Sequence, residues 1–223
     1  KMAKQIAHEI KNPLTPMRLN VQYLIKSFKD GEGAGLYSDN WKDKLESFSK
    51  TMIQQIDTLT SISNAFSDFA SLNNQASESL CLKEELNQIA HLFKNNNVHF
   101  VSKIKQEVIP RVFMDKSHLT RVFNNLIKNS IQASQTAKNN EIRIELYLKG
   151  TNYTILVKDN GVGIPKDIQE KIFEPNFTTK NSGMGLGLAM VKKIISDFNG
   201  TINYTTSSEG TVFEVTIPTQ INN

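Results

Sequence analysis

The sequence predicts a multidomain chain: an N-terminal antiparallel helical hairpin over 1–73, a linker at 74–79 and a mixed α/β domain over 80–223. Three observations predict it. Apolar residues recur at intervals of three and four through residues 1–69, interrupted once by a run of glycines. The stretch Asn73-Asn74-Gln75-Ala76-Ser77-Glu78-Ser79 is polar and without period, as a linker is. Beyond it, strand-like alternation and helical spacing take turns. With 223 residues, 39% apolar and 22% charged, the chain reads as globular, neither disordered nor fibrous.

The first helix, 1–29, is organised around Ile6-Ala7-His8-Glu9-Ile10-Lys11-Asn12-Pro13-Leu14-Thr15-Pro16. At roughly 100° per residue, Met2, Ile6, Ile10, Met17, Val21, Leu24 and Phe28 fall in one apolar stripe. His8 lies opposite it, facing solvent, with Glu9 beside it and Asn12 one turn on. Pro13 and Pro16 cannot donate to the carbonyls of Glu9 and Asn12, so the helix is expected to bend just beyond the histidine. His8, Glu9 and Asn12 form a candidate reactive group.

Asp30-Gly31-Glu32-Gly33-Ala34-Gly35 reads as a loop, because its glycines make helix costly. Ser38 or Asp39 can cap a second helix whose apolar positions are Trp41, Leu45, Phe48, Met52, Ile56, Leu59, Ile62, Phe66 and Phe69. Two helices cannot cover this seam on both sides. A homodimer forming a four-helix bundle is therefore expected, the alternative being packing against another part of the same protein.

The second part begins with a strand at 80–82 and an amphipathic helix at 83–94. Strands at 98–104 and 111–114 precede a helix that Asp115-Lys116-Ser117 caps, running to 137 with Leu119, Val122, Phe123, Leu126, Ile127 and Ile131 inward. Strands at 141–149 and 153–158, a glycine-rich loop, a short helix at 168–173, a helix at 185–198 and a hairpin of 200–206 with 211–217 complete the order.

The net charge of +4 lies wholly in the second part. Residues 1–78 hold nine Lys/Arg and nine Asp/Glu, residues 79–223 seventeen and thirteen. That excess fits either nucleic acid or a bound polyphosphate, and the charge alone does not decide. The lysines are scattered rather than gathered in a stripe, and no nucleic-acid partner is expected. A single cysteine, Cys81, excludes an internal disulfide framework and a cysteine metal cluster, and fits a buried strand residue in a reducing compartment. No apolar run is long enough to span a membrane, and no signal peptide is visible. The chain starts inside a helical pattern, so it is expected to be the cytoplasmic portion of a longer protein, with any membrane contact made through a preceding segment.

Four sites in the second part belong together. Asn125 and Asn129 stand four apart, so both amides project from one helix face. An amide oxygen suits Mg²⁺ that shares its shell with phosphates and water, although such pairs are also common as polar surface. Asp159-Asn160-Gly161-Val162-Gly163-Ile164-Pro165 follows a strand directly. Asp159 can accept from an exocyclic amine while Gly161 and Gly163 admit a flat ring; a tight Asn-Gly turn with a solvent-facing Asp is the other reading. Gly183-Met184-Gly185-Leu186-Gly187-Leu188 opens a helix, whose first N–H groups suit phosphate oxygens. No strand precedes it, which argues against a dinucleotide-binding fold. Phe173-Glu174-Pro175-Asn176-Phe177-Thr178-Thr179-Lys180 lies between the glycine loops and fits a lid over bound nucleotide.

His8-Glu9-Ile10-Lys11-Asn12-Pro13-Leu14-Thr15-Pro16 resembles the phosphoacceptor box of bacterial sensor histidine kinases of the nitrogen-regulation type. The four sites resemble, in order and spacing, the N, G1, F and G2 boxes of the family's ATP-binding domain, and Glu209-Gly210-Thr211-Val212-Phe213 its last glycine motif. The resemblance implies an α/β sandwich of the Bergerat ATPase type, with ATP and Mg²⁺ as cofactors. It implies that Asn129 holds the metal, Asp159 reads adenine and Lys180 lies near the phosphates. Asn125, Gly161, Gly163, Phe177, Thr178, Thr179, Gly183, Gly185, Leu186, Gly187 and Thr211 complete the implied nucleotide site.

The implied activity is ATP-dependent phosphorylation of His8, assisted by Glu9, and transfer to an aspartate of a response regulator. Asn12 is expected to serve a regulator phosphatase activity. Hydrolytic relatives of the wider superfamily carry a water-activating Glu where this chain has Asn125. An amide is a poor base, which argues against simple ATP hydrolysis and against a chaperone-type machine.

Overall fold

The computed structural model describes residues 2–30, 39–70, 77–135, 137, 140–175, 177–179 and 185–219. For residues 2–9, 27–30, 39–42, 44, 61 and 64–70 the description is of the backbone alone. The chain divides after Ala70 into a helical unit and a sheet unit.

The helical unit holds α1 (Met2–Asp30) and α2 (Asp39–Ala70), packed on each other. Asn20, Tyr23 and Leu24 of α1 share a groove with Asp43, Ser47, Phe48 and Thr51 of α2. The end of one helix thus meets the start of the next, as an antiparallel hairpin requires. The helix α1 runs through both prolines without a break in helical backbone, and Pro13 itself is buried. Met17, Leu24, Phe48, Met52 and Leu59 are half-buried and Ile62 is buried. Other seam residues stay open: Ile10 is 38% exposed, Leu45 42% and Ile56 50%. The glycine run at 31–35, the Ser38 cap and residues 74–76 of the linker lie outside the described residues.

The sheet unit is built on five strands in the order β2-β4-β5-β7-β6, with a separate antiparallel pair β1-β3. The strands are β1 (Glu78–Cys81), β2 (Val98–Ser102), β3 (Arg111–Met114), β4 (Ile142–Lys149), β5 (Asn152–Asp159), β6 (Thr201–Ser207) and β7 (Gly210–Pro218). Within the five-stranded sheet β2 and β4 run parallel, and β4-β5, β5-β7 and β7-β6 are antiparallel. The helices are α3 (Leu82–Leu92), α4 (Lys116–Ala133) and α5 (Gly187–Asp197).

The strand period of two decides which side is covered. Ile142, Ile144 and Leu146 of β4, Tyr153, Ile155 and Val157 of β5, and Phe213, Val215 and Ile217 of β7 all enter one core. They meet Leu82, Leu86 and Ile89 of α3, Leu119, Val122, Phe123, Leu126 and Ile127 of α4, and Met190, Val191, Ile194 and Ile195 of α5. Three helices therefore cover one face of a mixed sheet. This is the expected α/β sandwich.

Several boundaries differ from expectation for local reasons. The linker was expected to run to Ser79, but Glu78 and Ser79 already pair with Met114 and Phe113, because β3 offers a partner strand that polarity alone does not reveal. The helix expected to reach 137 ends at Ala133. There the Ala133 carbonyl accepts from Val162 N at 3.2 Å, and the Ser134 hydroxyl and N–H both turn back to the Ser130 carbonyl. The short helix expected at 168–173 is a 3₁₀ turn at Lys166–Lys171. The helix expected from 185 begins at Gly187, since Gly185 has a φ of +62°.

The other face of the sheet carries an ion pair that strand alternation does not predict. Glu145 is only 6% exposed, yet it accepts from Lys158 Nζ at 2.7 Å and from the Tyr147 hydroxyl at 2.6 Å. Burial pushes the Glu145 carboxyl up. The bonds from Lys158 and Tyr147, with the charges of Lys158 and Lys103, outweigh burial and hold it below the usual carboxylate range.

Candidate active site

The best-defined part of the site is the carboxylate at the end of β5. Asp159 Oδ1 accepts from the backbone N–H of Gly161 at 3.0 Å and of Thr211 at 3.1 Å. Its Oδ2 accepts from the Ser130 hydroxyl at 2.9 Å. Three elements therefore converge on one side chain: the loop after β5, the start of β7 and the inner face of α4. The solvent-facing Asp of the alternative reading is excluded, since Asp159 is partly buried and held by three donors.

The loop is fixed as tightly. Asn160 Oδ1 accepts from Glu141 N at 3.2 Å, and Ile164 N donates to the Thr206 hydroxyl at 2.9 Å. Thr206 and Thr211 hydroxyls lie 3.1 Å apart. The two loop glycines were expected to admit a flat ring. Their missing side chains have a different cause: a Cβ on Gly161 would lie 2.6 Å from the Ala133 carbonyl oxygen, and one on Gly163 would collide with the Ser207 carbonyl oxygen. Gly163 also has a φ of +73°, which L side chains rarely adopt. Close protein backbone alone is enough to require glycine at both.

Along α4, Asn129 immediately precedes Ser130, whose hydroxyl reaches Asp159. One turn earlier, Asn125 Nδ2 donates to the Arg121 carbonyl at 2.8 Å. Its Oδ1 approaches α5, where a Cβ on Gly187 would lie 2.6 Å from it. Asn125 therefore stands against the first residue of α5. That helix begins after Leu186, which provides no side-chain cap. Leu186 is buried, and what it offers a ligand is backbone.

Phe177 is half-buried and packs with Phe173 against the core, while Thr178 and Thr179 are exposed. Phe173 meets the Tyr204 ring at 6.0 Å, and Lys192 Nζ lies 5.6 Å from the centre of the Phe173 ring. The start of the expected lid is thus anchored. Lys180 and Gly183 lie outside the described residues. His8 and Glu9 are in α1 with backbone described, and Asn12 is exposed on the same helix. Ser130 escaped the sequence reading. Its signal was a hydroxyl residue directly after Asn129, falling on a buried face.

Among the described residues no group of three or more His, Cys, Asp or Glu gathers to hold a metal. A lone amide ligand such as Asn129 fits Mg²⁺ that arrives with phosphate and water in its shell, not a protein cage. No helix of the described residues is long and apolar enough to cross a membrane.

Two family models match the chain in order. The His Kinase A (phospho-acceptor) domain matches residues 1–75, and the histidine kinase-, DNA gyrase B-, and HSP90-like ATPase matches residues 114–221. The catalytic domain of the histidine kinase ThkA is 32% identical, with a TM-score of 0.56, over 65% of this chain and 97% of that domain. The chain belongs to the sensor histidine kinases. Among relatives of this kinase, the nitrogen regulation protein NtrY of Azorhizobium caulinodans is 29% identical over 94% of the chain and 27% of its own length. The sensory histidine kinase/phosphatase NtrB of Azospirillum brasilense is 28% identical over 97% of the chain and 55% of its own length. The kinase chain thus spans between about a quarter and just over half of these relatives. ThkA has also been solved in complex with the response regulator protein TrrA, and that structure matches 98% of this chain at 25% identity and a TM-score of 0.64.

Proposed function

We propose that this chain binds ATP at Asp159, phosphorylates itself on His8 and passes the phosphoryl group to an aspartate of a response regulator. The observation that carries the reading is the pairing of a phosphoacceptor domain containing His8 with an ATPase domain whose Asp159 is held ready by three donors.

The chemistry follows from the residue types. Asp159 accepts the exocyclic amine of adenine, with Thr211 and Gly161 holding its carboxylate in place. The uncapped start of α5, at Gly187, faces the phosphates through its N–H groups. When bound, Mg²⁺ on the Asn129 amide oxygen supplies charge neutralisation for the phosphates. The His8 Nε2 forms a bond to the γ-phosphorus as the bond to the β-phosphate oxygen breaks and ADP leaves. Glu9 takes the Nδ1 proton, which leaves the product a neutral imidazole carrying the phosphoryl group. Asn125 provides no general base for water, so the phosphoryl group goes to histidine. The response regulator as partner is supported by the ThkA–TrrA complex.

Incubation with γ-labelled ATP and mapping of the labelled residue tests this. Label is expected on His8 alone, stable in base and lost in acid, and absent from His8→Gln, whose ATP affinity stays within about twofold. Acid-stable label, or label elsewhere, overturns the assignment.

A second activity is favoured by the relative named as kinase and phosphatase. Asn12 is exposed one turn beyond His8, beside the Glu9 carbonyl that Pro13 leaves without a donor. Its amide can hold a water against the phosphoaspartate of a docked regulator. With ADP present, Asn12→Ala is expected to lose regulator dephosphorylation and keep label on His8. Equal decay rates for both proteins would remove that role.

A further inference from the structure

The geometry points to Ser130 as a positioning residue that sets the base preference of the site, an inference that rests on the proposed reading of the base by Asp159. A carboxylate offers about four lone-pair positions. The N–H groups of Gly161 and Thr211 fill both positions on Oδ1, at 3.0 and 3.1 Å. The Ser130 hydroxyl fills one on Oδ2, at 2.9 Å. Among the described residues nothing else donates to Asp159, and one acceptor position remains, on Oδ2.

Ser130 is wholly buried, with 0% of its surface exposed, so its hydroxyl must find a partner inside the protein. The local partner for a helix-interior hydroxyl is the carbonyl one turn back. Its neighbours take that option: Thr120 donates to Lys116 O and Ser134 to Ser130 O, each at 2.9 Å. Ser130 instead crosses from α4 to β5. The hydroxyl is therefore committed to the carboxylate.

A single open acceptor matches a single N–H, which is what the Watson–Crick edge of adenine presents: one N–H of its 6-amine, the other pointing towards N7. The guanine edge presents two adjacent donors and needs two open acceptors, while its 6-oxo group would meet Oδ2 lone pair against lone pair. Without the Ser130 hydroxyl a second position opens on Oδ2 and water takes it. Oδ2 is then free to swing about the contacts that pin Oδ1, and the amine meets a less directed acceptor.

Competition titrations on the full chain test this with ATP and purine riboside 5′-triphosphate, the same nucleotide without its 6-amine. In the wild type ATP is expected to bind about tenfold tighter or more, the worth of one hydrogen bond to a charged group. In Ser130→Ala that ratio is expected to fall by about threefold or more, and in Ser130→Thr, which keeps the hydroxyl, to hold. Both ligands are measured on the same protein, so a loss of folded fraction weakens both alike and leaves the ratio unmoved. Should the alanine variant not fold, Ser130→Cys, with its weaker donor, is expected to give an intermediate ratio. Equal affinities for the two nucleotides in the wild type would overturn the base-reading role of Asp159 itself. Strong discrimination in the wild type that is unchanged in Ser130→Ala, or in Ser130→Cys where that variant stands in, would leave Asp159 its role and overturn the one assigned to Ser130.

Discussion

At the scale of single residues, Asp159 shows how a carboxylate is made directional. Its oxygens are differentiated by their surroundings: Oδ1 is saturated by backbone, and Oδ2 keeps one place for a ligand. Asp159→Asn keeps the shape and puts an NH₂ where one oxygen was. A donor then faces the donor of the base, or the amide turns and leaves two backbone N–H groups without their acceptor. Calorimetry is expected to show ATP binding weakened by roughly 1–3 kcal/mol; unchanged affinity would remove the adenine role. Asp159 and Asn129 stood out in the sequence as candidates because their neighbours in the chain form recognisable motifs. Ser130 was not, because the bond that gives it meaning spans 29 residues. Gly161 and Gly163 were legible as special positions, but the reason lay in carbonyl oxygens of Ala133 and Ser207, distant in sequence.

At the scale of elements, local chemistry marked beginnings better than ends. Asp115 was legible as a cap, and its carboxylate accepts from the N–H groups of Ser117 and His118 at the start of α4. Burial pushes that carboxyl up, and the bonds from Ser117 and His118 bring it below its ordinary value. The end of α4 was not legible, since the Val162 N–H that takes the Ala133 carbonyl comes from another element. The Glu145–Lys158 pair joins β4 to β5 in the same hidden way, on the diagonal, with Lys158 two residues along from Leu156, the direct partner of Glu145. Its pH dependence has a definite sign. The folded Glu145 lies below its ordinary value of 4.5, so its stabilisation is complete above that value and is lost as pH falls through the folded one. Lys158 stays 37% exposed and water screens the pair, so its worth is about 1 kcal/mol. Glu145→Gln is expected to lower the melting temperature by about 2–4 °C at neutral pH, with the gap closing in acid. A gap that stays constant down to strongly acidic pH would show that the charge contributes nothing.

At the scale of the whole molecule, the hairpin poses a problem that one chain does not solve. Apolar residues at three- and four-residue spacing were read as a seam, and α1 and α2 do pack on each other. Yet Ile10, Val21, Leu45 and Ile56, all on the expected stripes, remain exposed, as do Leu14, Tyr23, Ile25 and Ile53. A strip of this kind on a helical hairpin marks an interface. Its helical spacing suits another helix pair, and a second copy supplies one with the same strip, so a four-helix bundle buries all of it. Each isoleucine covered in this way is worth about 1.5–3 kcal/mol, so one charge in the strip is enough to shift the equilibrium far. The full chain is expected to sediment as a dimer, and Ile56→Asp as a monomer at the same micromolar concentration. Ile56 lies in the helical unit, whereas Asp159, Asn129 and Thr211 lie in the sheet unit, so the monomer is expected to keep its ATP affinity within about twofold. Sedimentation of the wild type as a monomer would leave the strip for some other partner. A dimer that survives Ile56→Asp together with Ile53→Asp would place the interface elsewhere on the chain.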